Sequence, residues 1–136
     1  MTKKINSVLL IDDDIMSNMN SKRIIEKTDA AIEIHLAESG FEALELFETK
    51  FIPEGKFPDI IFLDIYMPRF SGWQFLEFYK GMTNRGKTKV ILLSSSEEDA
   101  DRERARKIPE VSGYKIKPLT EEYIHELTQN IPLTNE

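Results

Sequence analysis

Residues 8–14 read VLLIDDD: four apolar residues run straight into three aspartates. An uninterrupted apolar run of this length fits a strand covered on both faces. Adjacent carboxylates repel one another, and beside a low-dielectric interior they are costly unless paired or metal-bound. The stretch is either a solvated strand end or part of a ligand site.

Outward from it, apolar runs alternate with helical patterns. Residues 5–11 read as a strand, and 15–27 as a helix carrying Ile15, Met19, Ile24 and Ile25. Residues 31–36 alternate, with Ile32, Ile34 and Leu36 on one face and Glu33 and His35 on the other. Ser39 is placed to cap a helix with Ala43, Leu44, Phe47 and Phe51 on one stripe. IPEGKFP reads as a loop, and 59–63 as an apolar strand ending at Asp64. Ser71 opens a helix with Phe75, Leu76, Tyr79 and Met82 at helical spacing. TNRGKT turns the chain into a strand at 89–93. Residues 96–107 form a polar helix, acidic first and basic last, which complements the helix dipole. A short strand at 112–116 and a closing helix from 119 to about 131 follow, with Leu119, Tyr123, Leu127 and Ile131 inward.

Five β-α units of this kind imply an α/β fold: a parallel sheet with helices on both faces. The strands at Val8, Ile60 and Val90 are continuously apolar, as central strands are, while those at Ile32 and Tyr114 alternate, as edges do. That pattern fits a five-stranded, doubly wound sheet in the flavodoxin-like order 2-1-3-4-5, with five helices.

The bulk numbers agree. The 136 residues suit one domain, 1–136 with a core of about 5–131. At 40% hydrophobic and 31% charged, the composition is that of a globular chain, and no long apolar run offers a membrane span. Cysteine is absent, which excludes disulfides, thiolate chemistry and cysteine-ligated zinc. MTKKINS leads into a strand without a signal-peptide core, so the expected location is cytoplasmic. A net charge of −6 argues against direct DNA binding.

In that strand order the first and third strands adjoin, and the ligand crevice lies at their C-terminal ends. Asp12, Asp13 and Asp64 then converge there. A self-repelling carboxylate set favours a hard divalent cation with oxygen ligands, and Mg²⁺ suits a site that also expects a phosphate. Ser94, in ILLSSS, and Lys117, in YKIKPL, end the fourth and fifth strands at the same edge. Together they make a phosphoryl-binding set with Asp64 as nucleophile.

VLLIDDD, IIFLDIYMPRFSG, ILLSS and SGYKIKP, in this order, closely resemble the receiver domain of two-component response regulators, over about residues 5–131. The family's known fold has the same strand order. The resemblance implies a single-domain, chemotaxis-regulator-like phosphoprotein of phosphorelay signal transduction. Asp64 would be the phosphoacceptor, taking its group from a phosphohistidine of a sensor histidine kinase or histidine phosphotransfer protein. Asp13 and Asp64 would ligate Mg²⁺, Asp12 would act through water, and the backbone carbonyl of Tyr66 would complete the ligands. Ser94 and Lys117 would bind phosphoryl oxygens. Ser94 and Tyr114 resemble the family's switch pair, and the output face would comprise the fourth helix, fifth strand and fifth helix. Such a protein is a signalling module with self-phosphorylation and self-dephosphorylation chemistry rather than an enzyme.

Departures are local. Ser94 replaces the commoner threonine, and Ser95 and Ser96 offer rival hydroxyls. Asp14 is an extra acid, expected as a solvated first-turn residue. Tyr66 is large for its place two residues after Asp64, so Tyr66 and Ser96 are expected to tune dephosphorylation. The fourth helix has little apolar stripe beyond Ala100, Ala105 and Ile108. His35 and His125 read as surface residues. Two alternatives remain: a haloacid dehalogenase-like phosphatase built on Asp12 and Asp14, and a degenerate receiver acting as a binding module. Only PLTNE follows Ile131, so output is expected through contacts with a downstream protein target, without membrane insertion.

Overall fold

The computed structural model describes residues 5–82, 87–95 and 98–129. Ser96, Ile131 and part of the TNRGKT turn lie outside the described residues. The strands are β1 (Ile5–Ile11), β2 (Ala31–Ala37), β3 (Ile60–Leu63), β4 (Lys89–Ser94) and β5 (Val111–Ile116). The helices are α1 (Ile15–Thr28), α2, α3 (Gly72–Lys80), α4 (Asp99–Arg106) and α5 (Glu121–Gln129). Here α2 is one unbroken helical run: Gly40–Leu46 in α geometry, a π turn at Phe47–Phe51, then Ile52–Glu54. All neighbouring strands pair parallel, in the order β2-β1-β3-β4-β5. The expected flavodoxin-like order and five helices are present.

Strand alternation splits the apolar runs between two cores. Leu9, Ile11, Ile61, Leu63, Val90 and Leu92 face α2, α3 and α4, where Phe47, Phe75, Leu76 and Tyr79 fill the layer. Val8, Leu10, Ile60, Phe62, Ile91 and Leu93 face the other way, onto Ile25 of α1 and Ile124 of α5. Each fully buried Leu, Ile or Phe contributes about 1.5–3 kcal/mol. Phe47 is the hub of the first layer, its ring centroid 5.1 Å from Phe51 and 6.1 Å from Tyr79.

Local signals set the helix starts. Ser71 caps α3 in a reciprocal capping box with Gln74, and Ser39 caps α2 by accepting from the Glu42 N–H at 3.0 Å. Gly72 is required by contact: a Cβ there would lie 2.5 Å from the Asp64 carbonyl and 2.6 Å from the Ile65 Cα. The start of α3 is pressed onto the turn that carries Asp64.

Several expectations need correction. Asp14 is exposed, as expected, but it is the N-cap of α1 rather than a first-turn residue, accepting from the Met16 N–H at 3.0 Å and the Ser17 N–H at 3.4 Å. The inward face of α1 is Asn18, Ser21 and Ile25, while Ile15 and Met19 are exposed. Asn18 takes an inward position because its side-chain amide donates to the Asp12 and Ala37 carbonyls, both at 3.1 Å. Ile32 is exposed on the edge strand, whereas Ile34 and Leu36 pack. The IPEGKFP loop is partly helical: Ile52–Glu54, Pro53 among them, continue the run beyond the π turn. His35 is half-buried rather than a surface residue, pairing with Glu33 at 3.1 Å and meeting the Phe51 ring edge-on at 5.2 Å. In α5 it is Ile124 that is fully buried, with Tyr123 and Leu127 partly so.

Asn18→Ala removes two buried hydrogen bonds between α1 and the ends of β1 and β2. A cost of about 1–3 kcal/mol is expected, read as a lower denaturation midpoint with an unchanged denaturant slope.

Candidate functional site

The register of β1 on β3 builds the site. Ile11 pairs with Leu63, so Asp12 and Asp64, the next residues, emerge side by side. The backbone locks both: the Asp64 N–H donates to the Ile11 carbonyl at 3.0 Å, and the Asp12 N–H to the Ala37 carbonyl at 3.1 Å. On the other side, Ser94 of β4 pairs with Ile116 of β5. The Lys117 N–H donates to the Ser94 carbonyl at 2.8 Å. Four of the five strand ends therefore deliver Asp12, Asp64, Ser94 and Lys117 to one edge. The Lys117–Pro118 peptide is cis.

Asp12 and Asp64 are buried at 4% and 7% exposure, and Asp13 is exposed. One carboxylate oxygen from each of the three lies within 4.8 Å of the others. The Lys117 Nζ donates to Asp12 Oδ2 at 2.6 Å and reaches Asp64 Oδ2 at 3.5 Å. Two backbone N–H groups support the acids: Asp14 N–H donates to Asp12 Oδ1 at 2.9 Å, and Tyr66 N–H to Asp64 Oδ1 at 3.1 Å.

The charge balance is unequal. Burial pushes the Asp64 carboxyl up to about 6, and the Asp12 charge adds to the rise; the Tyr66 N–H and the Lys117 ammonium offset only part of it. Burial by itself would lower Lys117, but the hydrogen bond to Asp12 and the charges of Asp64 and Asp12 outweigh it, so Lys117 is raised above its ordinary value. Lys117 is thus fixed as a cation, while Asp64 carries negative charge that the protein's own groups do not fully compensate.

Around this centre, Ser94 is fully buried and Tyr114 half-buried, with the Arg102 guanidinium 5.4 Å from the Tyr114 ring centroid. Ser95 is exposed, and Ser96 lies outside the described residues. Tyr66 is 54% exposed, and its hydroxyl donates to Asp101 of α4 at 2.5 Å. Sequence reasoning missed two contributors, Asn18 and Asp101. Each is a polar residue at an inward helical position, and that conflict with the helical pattern was the available signal.

An acidic crevice with a lysine, set where the strand order reverses, defines a flavodoxin-like fold of the chemotaxis-regulator type. The family model for the response regulator receiver domain matches residues 8–129, and the chain belongs to that family. A two-component response regulator from Cytophaga hutchinsonii superposes with a TM-score of 0.85 at 34% identity, covering 95% of this chain and 100% of that one. Protein PilG of Pseudomonas aeruginosa is 31% identical over 116 residues, 85% of this chain and 78% of its own length. Transcriptional regulatory protein YdfI of Bacillus subtilis is 35% identical over 94 residues, 69% of this chain but only 40% of its own length. Receiver domains are signalling modules, and neither alternative from the sequence is favoured. Asp14, which the phosphatase reading needs in its chemistry, caps a helix. Among the described residues no helix is long and apolar enough to cross a membrane.

The raised Asp64 pKa has a stability consequence. Its contribution to folding is fully favourable below about 3.8 and is lost as pH rises through about 6. At neutral pH the ionised carboxylate therefore destabilises the metal-free chain. Asp64→Asn is expected to raise Tm in chelator at pH 7.5, with the gain shrinking towards zero near pH 4; thermal melts across that range check it.

Proposed function

We propose that this receiver domain accepts a phosphoryl group on Asp64 from a phosphohistidine of a sensor histidine kinase or histidine phosphotransfer protein. The supporting observation is the convergence of Asp12, Asp13 and Asp64 beside Lys117. The donor set fits Mg²⁺: every ligand is an oxygen, two of the carboxylates are buried, and burial together with the Asp12 charge pushes Asp64 upward. Asp12, Asp13, Asp64 and the backbone carbonyl of Tyr66 would hold the ion, which when bound supplies positive charge to the carboxylates and the incoming phosphoryl oxygens.

A carboxylate oxygen of Asp64 attacks phosphorus. The phosphorus–nitrogen bond breaks, and its electron pair leaves with the partner's imidazole, which takes up a proton. Lys117 changes partners from Asp12 to a phosphoryl oxygen, and the Ser94 hydroxyl donates to another. Catalysis of this kind is positioning plus charge neutralisation. Tyr66 and Ser96 set the phosphoryl lifetime by shielding the acyl phosphate from water. Movement of Ser94 and the Tyr114 ring then biases α4, β5 and α5, the face that meets a downstream protein. The domain acts in the cytoplasm through protein contacts, without binding DNA.

Incubation with Mg²⁺ and acetyl phosphate, read by intact mass, tests this. One phosphoryl group is expected in the wild-type protein, and none in Asp64→Asn or in the presence of chelator. Lys117→Ala is expected to slow uptake by roughly 100-fold. Absence of any added mass in the wild-type protein refutes the proposal.

A further inference from the structure

The buried residues of α4 are Asp101 and Ala105. One of the two side chains that seat this helix is therefore a carboxylate, at 9% exposure. A buried carboxylate requires hydrogen-bond donors. The Tyr66 hydroxyl supplies one to Asp101 Oδ2 at 2.5 Å. The bond joins the loop after β3 to the helix after β4. At its other end, Tyr66 donates its backbone N–H to Asp64 Oδ1 at 3.1 Å. A single residue thus spans the distance from the Asp64 carboxylate to α4. About half of Tyr66 is exposed, and the bond to Asp101 constrains the direction of its ring.

We propose that Asp101 is a positioning residue: through the Tyr66 hydroxyl it holds the Tyr66 ring at the edge of the Asp64 site, and so sets how fast water removes a phosphoryl group from Asp64. This rests on the reading of Asp64 as phosphoryl acceptor. In the hydrolysis a water oxygen bonds to phosphorus, and the bond from phosphorus to the Asp64 oxygen breaks with its electron pair retained by the carboxylate. The protons of water pass to phosphate and solvent. The held ring obstructs the approach of that water. The coupling is reciprocal: a partner that draws α4 away from the loop after β3 releases the ring and shortens the phosphoryl lifetime, and one that holds Asp101 against Tyr66 lengthens it.

The test compares wild type, Tyr66→Phe, Asp101→Leu and the double variant. Each is loaded with acetyl phosphate and Mg²⁺, desalted, and followed by intact mass. Each single variant is expected to shorten the lifetime by roughly three- to tenfold. The double variant is expected to match the singles, because both remove the same bond. In the unphosphorylated, metal-free proteins, amide hydrogen exchange across α4 is expected to rise equally in all three variants. Uptake with unchanged lifetimes, or with effects that multiply in the double variant, overturns this proposal alone. No uptake by any of the four overturns the acceptor reading and this proposal with it. Tyr66→Phe keeps the ring and removes only the hydroxyl of a half-exposed residue, so it is interpretable even where Asp101→Leu unfolds.

Discussion

The repulsion between Asp12 and Asp64 is the constraint on which the rest of the structure depends. Neither acid can move away. Each follows directly from a buried strand, and the pairing of Ile11 with Leu63 holds the two strand ends together. Folding this sheet therefore forces two carboxylates into one poorly solvated crevice, and Lys117 is the counter-charge the chain brings to it. The lysine is nearer to Asp12, at 2.6 Å, than to Asp64, at 3.5 Å. That asymmetry leaves Asp64 as the acid whose negative charge is least compensated, which explains why burial raises its pKa so far. The hydrophobic energy of two sheet faces, each strand side chain worth about 1.5–3 kcal/mol, is what sustains the arrangement.

Legibility in the sequence followed the strength of each local signal. The central strands were plain because strands covered on both faces must be continuously apolar, and the switch point followed from which strands were not. Asp12, Asp13, Asp64 and Ser94 were readable because each is a polar residue at the end of an apolar run, and Lys117 because it ends the fifth strand at the same sheet edge. The faces of α1 were not. Counting apolar residues singled out Ile15 and Met19, which are exposed, whereas Asn18 turns inward and donates to two backbone carbonyls at the sheet edge, which an apolar side chain cannot do. Pro53 read as a loop residue because proline lacks the N–H that a helix interior uses, yet it lies in the segment that continues the run after the π turn. The bond between Tyr66 and Asp101 joins residues far apart in sequence and carries no periodic signature.

The helices are anchored unequally. Those of the first apolar layer, α2 and α3, share an aromatic cluster centred on Phe47. In α4, contacts to three different elements begin within four residues of one another. Asp101 accepts from Tyr66, the Arg102 guanidinium lies 5.4 Å from the Tyr114 ring centroid, and the Arg104 guanidinium lies 4.3 Å from that of Trp73. These hold α4 to the loop after β3, to β5 and to α3, while Ala105 is its one buried apolar side chain.

The kind of anchor decides what the helix can do. Removing an apolar anchor from a packed core leaves a cavity and costs about 2–5 kcal/mol per side chain, so α2 and α3 are fixed. Exposed cation–π contacts are worth about 0.5–1 kcal/mol each, because water replaces much of what is lost. The bond to Asp101 is part-buried, and the residue that donates it is half-exposed. Displacing α4 is therefore a matter of a few kcal/mol rather than of unfolding a core. A ligand can shift a conformational equilibrium only by its differential affinity for the two states, and about 5.5 kcal/mol suffices to invert a 99:1 population. On the proposed reading, a phosphoryl group on Asp64 would draw Lys117 from Asp12 and reorganise hydrogen bonds at Asp64, acting on that energy scale. It would do so at one end of Tyr66, and the other end of Tyr66 is hydrogen-bonded to the most weakly seated helix of its layer.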